Sequence, residues 1–134
     1  MEILVIVLAA AASLFTAFSF YKAGKFKAFS TKETLLGAGF GWVEKTPFWT
    51  VRLIAWLELV GAAGLVVAPI GYFLGYEWSI WFAVAAALGL ALTMVGAIIL
   101  HAKRGEAKYT LKMNLQLLIV ALLAAGLWAY LPMV

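Results

Sequence analysis

The chain has 134 residues, of which 66% are hydrophobic and 12% charged, with a net charge of +4, a mean hydropathy of +1.05 and no cysteine. A domain this short buries only about two-thirds of its surface, so a soluble globular fold has nowhere to hide so much apolar area. Disorder is excluded by the same composition, and the missing cysteines exclude disulfides, thiol redox chemistry, thiolate-held iron–sulfur clusters and Cys-ligated zinc. The lipid bilayer remains as the solvent.

A helix needs about 20 largely apolar residues to cross the hydrocarbon. Four segments satisfy this: 2–20, 48–70, 78–101 and 113–131. Together they predict an all-α, polytopic membrane protein, an antiparallel bundle of four transmembrane helices forming one domain over 1–134. The first segment carries Glu2, lacks a basic leader and is followed by its basic residues, so it is read as an anchor and not a signal peptide. Loops are expected at 21–47, 71–77 and 102–112. In the first, Ser30 and Glu33 have capping-box spacing, predicting a short interfacial helix through Leu36 that the glycines at 37, 39 and 41 end. Thr46-Pro47 reads as an N-cap followed by proline at the first helical position, and Pro69 and Pro132 are expected to stop the second and fourth spans.

All ten basic residues lie in or beside the first and third loops, Lys27 and Arg52 among them. By the positive-inside rule these loops are cytoplasmic and both termini outside, as expected for the plasma membrane of a bacterium. Tyr21, Trp42, Trp49 and Tyr109 then fall at the inner interface, and Tyr72, Tyr76, Trp78, Trp81, Trp128 and Tyr130 at the outer one. The basic clusters are thus topology signals and contacts for anionic lipid, and nucleic acid is not an expected partner.

The informative residues are the polar ones inside the spans. Glu58 lies six residues past Arg52, roughly 9 Å deeper into the bilayer. An ionised carboxylate there costs about 3 kcal/mol, so it should face the bundle, line a wet cavity or carry a proton. It is either a structural hydrogen-bond anchor or a ligand, proton or partner site. On the third span Ala85, Gly89, Thr93, Ala97 and His101 recur every fourth residue, a stripe suited to helix packing that ends at an ionisable ring. His101 is either solvated at the interface or a buried partner for Glu58. Ser13 and Thr16 on the first span are expected level with Glu58, although hydroxyls in spans usually bond back to their own helix. Asn114 and Gln116 open the fourth span near the depth of Arg52 and His101, completing a polar layer on the cytoplasmic side. Gly61 and Gly64 thin the second span one turn beyond Glu58, opening a pocket or admitting a neighbouring helix. There is no aspartate, one histidine and no HExxH, GxSxG or phosphate-binding loop, so metal, triad and bis-histidine haem chemistry lack their ligands.

Val51-Arg-Leu-Ile-Ala-Trp-Leu-Glu58-Leu-Val-Gly61-Ala-Ala-Gly64-Leu-Val-Val-Ala-Pro69 resembles the Arg…Glu-Leu…Gly…Gly-Leu…Pro segment of DoxX-like membrane proteins. Met94 through Ala97 to His101, and Lys22-Ala-Gly24-Lys25, are similar to that family's third span and first loop. The resemblance implies a four-helix membrane bundle from a family named for subunits linked to thiosulfate–quinone oxidoreduction, with Arg52, Glu58 and His101 as the positions to carry over. The expected function is an auxiliary membrane protein, not an enzyme on its own and with no intrinsic cofactor. Around Glu58, with Arg52, His101, Thr93, Asn114, Thr16 and Ser13, it would bind a lipophilic molecule such as a quinone, or a partner membrane protein or second copy. The alternatives are a proton-coupled exporter of lipophilic cations using Glu58, and the membrane subunit of a quinone-linked oxidoreductase.

Overall fold

The computed structural model describes residues 1–134 except the side chains of Ala107 and Tyr109, so the expected interfacial place of Tyr109 lies outside the described residues. Helices α1 (Glu2–Phe29), α3 (Phe48–Phe73), α4 (Trp78–Lys103) and α5 (Ala107–Tyr130) are all long and apolar enough to cross a membrane. A short α2 (Lys32–Gly37) and a 3₁₀ turn (Gly41–Lys45) fill the first loop, and a second 3₁₀ turn (Leu131–Met133) closes the chain. The four long helices form a square in the order α1–α3–α4–α5, each packing on its two neighbours and little across the diagonal. Their outward faces carry exposed Phe15, Phe18, Val60, Leu92, Ile119 and Leu123. In water such faces would be far larger than the apolar patches a monomer tolerates; in lipid they are the solvated surface.

The core is built on alanine. Ala9, Ala17, Ala62, Ala83, Ala87 and Ala121 are buried, and small side chains let backbones approach closely where lipid offers no hydrophobic drive. Glycines take the tightest crossings. A Cβ on Gly24 of α1 would stand 3.0 Å from the Ala55 carbonyl of α3, and one on Gly61 of α3 would stand 2.6 Å from Leu90 of α4. Gly61 and Gly64 therefore admit a neighbouring helix, one of the two expected roles. The small-residue stripe on α4 is displaced from its expected line. Ala85 and Gly89 are exposed, and the packing face runs through Ser79, Ala83, Ala87, Ala91 and Met94.

Several boundaries differ from expectation, among them the start of α5, which lies at Ala107 and not at Met113. The first helix does not stop at Phe20 but runs nine residues further, to Phe29. Its added turns keep Gly24, Lys27 and Ala28 on the buried face that holds Phe20, while Lys22 and Lys25 lie over the Phe18 and Tyr21 rings. Pro69 sits inside α3, which continues to Phe73; a proline removes one ladder hydrogen bond but does not oblige a helix to end. Thr31, not Ser30, caps α2 by accepting from the Thr34 amide at 3.1 Å. Pro47 itself is the N-cap of α3, and Thr46 donates its hydroxyl to the Trp42 carbonyl at 2.7 Å. Pro132 does fall where α5 gives way to the final 3₁₀ turn.

The two hairpins α3–α4 and α4–α5 close in the same way. Gly75 and Gly105 take φ of +92° and +73°, and the following amides of Tyr76 and Glu106 bond back to the carbonyls of Gly71 and His101. This is the Schellman turn, which needs a left-handed residue at its corner. Trp128, expected at the outer interface, is fully buried and donates from Nε1 to Ser13 Oγ at 2.6 Å, locking α5 to α1.

Candidate functional site

Lys27 and Glu58 meet inside the bundle. Lys27 Nζ donates to Glu58 Oε1 at 2.6 Å, with the side chains 11% and 1% exposed. The pair exists because α1 continues past the apolar run and because Gly24 lets α1 lie against α3 at the level of Glu58, whose Cβ is 3.2 Å from where a Gly24 Cβ would stand. A buried carboxylate is tolerated when paired and hydrogen-bonded, and a basic partner at this depth provides both.

The pair lines a cavity of about 460 Å³. Phe20 and Ala23 of α1, Ile54 of α3, Met94, Ala97 and Leu100 of α4, and Met113 and Leu117 of α5 form most of its apolar wall. Phe40 and Trp42 close it from the first loop. That loop is held in place by its own small core of Leu35, Trp42, Val43 and Val51, against which Phe40, Phe48 and Leu100 pack. Gly96 and Met113 both line the cavity and are exposed, so it reaches the molecular surface where α4 and α5 meet.

Two buried polar atoms at this cavity have no hydrogen-bond partner among the described residues: Glu58 Oε2 and Asn114 Nδ2. Their residues are 1% and 5% exposed. Most buried polar atoms in folded proteins are paired, and an unmade bond costs about 1–3 kcal/mol, more for a charged group. An acceptor and a donor therefore stand open in an otherwise greasy chamber.

Of the residues singled out from sequence, Glu58, Thr93, His101 and Asn114 line this cavity. Thr93 is bonded back to Leu90 O at 2.6 Å, so it contributes its methyl group to the wall more than its hydroxyl. His101 is not the partner of Glu58. The Schellman turn at Gly105 folds Glu106 beneath it, and His101 Nδ1 lies 2.7 Å from Glu106 Oε2 while Arg104 Nε donates to Oε1 at 2.6 Å. Those bonds, from His101 first and Arg104 second, hold the Glu106 carboxyl below its usual range. Arg52 does not line the cavity; its guanidinium donates to the Lys27 carbonyl at 2.9 Å and to that of Ala28, and lies over the Phe48 ring. It caps the end of α1 and so fixes the backbone from which Lys27 projects.

Ser13 and Thr16 stand apart from the cavity, against the expectation that they lie level with Glu58. Gly24 and Lys27 occupy that level, because α1 extends further than its apolar run. Ser13 serves Trp128, and Thr16 donates to Ala12 O at 2.7 Å, the back-bond usual for hydroxyls in spans. Gln116 is exposed and takes no part. Lys27 went unrecognised in the sequence because three lysines in six residues read as a cytoplasmic loop. The signal that finds it is the i, i+4, i+7, i+8 series Phe20, Gly24, Lys27, Ala28, which continues the helical face past the end of the hydropathy. Among the described residues no group of three or more His, Asp or Glu is placed to hold a metal ion.

Compared with known protein families, residues 7–126 match the DoxX-like family. No curated protein and no solved structure matches the chain.

Proposed function

The chain belongs to the DoxX-like family and is an integral, multi-pass membrane protein, and from that premise we propose that its cavity binds a lipophilic small molecule with a polar head, in an auxiliary and non-catalytic role. The observation that carries this is the pair of unpartnered atoms, Glu58 Oε2 and Asn114 Nδ2, on the wall of one apolar chamber. The chamber has the size of small-molecule sites, roughly 300–1,000 Å³ lined mainly by apolar groups with a few placed polar ones. A head group of the quinone–hydroquinone class has that size and mix of polarity, and the opening beside Gly96 and Met113 gives a lipid-borne molecule lateral access.

The cation-export reading is weakened by Lys27. A lipophilic cation entering beside Glu58 meets an ammonium group already bonded to that carboxylate, and like charges at short range in a low dielectric repel strongly. Electron transfer to a quinone would need a redox group on another subunit, because this chain offers no cysteine and a single histidine that is engaged with Glu106. The charge distribution supports an orientation with the basic loops, and hence the capped end of the cavity, in the cytoplasm.

Native mass spectrometry of the purified chain with an alkyl-substituted hydroquinone tests the proposal. The expected result is one saturable copy per chain, lost when Ala97→Trp fills the chamber in a variant that still purifies as a folded helical protein. Equal binding to both proteins would refute it.

A further inference from the structure

We propose that the cavity selects a lipophile whose aromatic ring carries a hydroxyl group, a phenol or hydroquinone, over a counterpart bearing only a carbonyl or an ether oxygen. This rests on the cavity binding a small lipophile at all, and goes further by reading the polarity of its open contacts. Glu58 receives a hydrogen bond from the Lys27 ammonium at Oε1, and no described residue donates to the lone pairs of its Oε2. A carboxylate in that state accepts only. A ligand oxygen facing it must therefore bring a proton; a carbonyl or ether oxygen would set lone pairs against lone pairs in a site that water screens poorly. The Asn114 amide presents the opposite need, a donor without an acceptor among the described residues. A hydroxyl group meets both demands, since it donates one hydrogen and accepts through its lone pairs. A carbonyl meets only that of Asn114.

The rest of the wall points to a ring. Phe20, Phe40 and Trp42 supply aromatic faces and edges, and Met94 and Met113 supply thioethers, which pack favourably against aromatic groups. The polar atoms belong to α3 and α5 and the aromatic ones to α1 and the first loop, so a ring packs among aromatic groups while its hydroxyl reaches the polar ones.

The test compares a 4-alkylphenol with its O-methyl ether of the same tail, titrated into the full-length chain in nanodiscs. The expected result is a phenol bound at least ~10-fold more tightly, about 1.4 kcal/mol. Partitioning into the bilayer favours the ether, so it cannot produce this preference. In Lys27→Met/Glu58→Met, which exchanges the ion pair for apolar groups, the preference should fall to within about twofold. Asn114→Leu should weaken both probes and leave the preference, since either oxygen can accept from the amide. Equal saturable binding of phenol and ether to the native chain would overturn the hydroxyl selection while leaving the cavity proposal standing. No saturable binding of either would overturn both. A preference that survives in the double variant would overturn the role given to Glu58, and a straight-chain alcohol bound as tightly as the phenol would overturn the choice of a ring. The comparison on the native chain decides the matter even where a variant fails to fold.

Discussion

Lys27 and Glu58 exchange the hydration of two charges for one short contact, and neither tolerates the loss of the other. Replacing Glu58 alone by Met leaves an ammonium group buried without a partner, a change expected to cost about 3 kcal/mol. Adding Lys27→Met should recover most of that loss, because a well-packed apolar pair often does as well as a buried ion pair. Reversible unfolding in mixed micelles measures both, and a double variant no more stable than the single one would contradict the pairing. Glu106 behaves differently because it lies at the surface of the α4–α5 turn. Its folded carboxyl titrates below its unfolded range, so its contribution is present above that range and is lost as the pH falls through the lowered value. The difference in Tm between the native chain and Glu106→Gln should accordingly be positive near neutral pH and close as the solution is acidified. A gap that stays constant would show that the bonds to His101 and Arg104 add nothing. Glu58 was legible in the sequence because a carboxylate in an apolar run is costly wherever it sits. Its partner was not, because a lysine after an apolar run is the commonest of topology signals, and only the helical phase from Phe20 through Ala28 separates the two meanings.

At the scale of elements, α1 decides the site. Hydropathy locates the lipid-spanning part of a helix, but not the turns that extend beyond it under the cover of another segment. Those turns persist here because Arg52 caps them and because Phe40 of the first loop and Trp56 of α3 pack against Phe26 and Phe29. Gly24 makes the crossing of α1 on α3 close enough for Lys27 to reach Glu58. Gly24→Leu is expected to destabilise the protein by about 1–3 kcal/mol, because the Ala55 carbonyl is backbone and cannot move aside. It should also weaken ligand binding by parting the ion pair. Gly89→Ala makes the contrast: a Cβ there meets nothing within 4 Å among the described residues, so stability should hold or rise by up to about 1 kcal/mol. Thermal unfolding of the two variants side by side checks both. The phase of the α4 stripe was the least legible feature of this scale. Alanines stand on several faces of that helix, and only the positions of α3 and α5 determine which of them are buried.

For the whole molecule, the all-α four-span architecture and the even-numbered crossing were plain from composition and span length, since a chain this apolar has few ways to satisfy its backbone in lipid. The chamber was legible only in part: a pocket around Glu58 with Thr93, His101 and Asn114 was expected, but Lys27 and the closure by Phe40 and Trp42 arise from a relative placement of helices and loop that no single segment encodes. Orientation can be tested cleanly on a chain without cysteine. A single cysteine at the exposed position of Lys103 should resist a membrane-impermeant maleimide added to intact cells, and one at Tyr76 should react; the reverse pattern would invert the assignment.

A lipophile bound in the chamber would set its polar head against Glu58 and Asn114 within the bundle. The most direct measurement follows the Asn114 side-chain amide by NMR in isotope-labelled protein as an alkyl-substituted hydroquinone is added. The expected result is a saturable shift of that amide together with the methyl groups of Met94 and Ala97, all on the chamber wall. It would be contradicted by an unmoved Asn114 with shifts confined to the outer groove between α1 and α3, at Leu14, Ala63 and Val66.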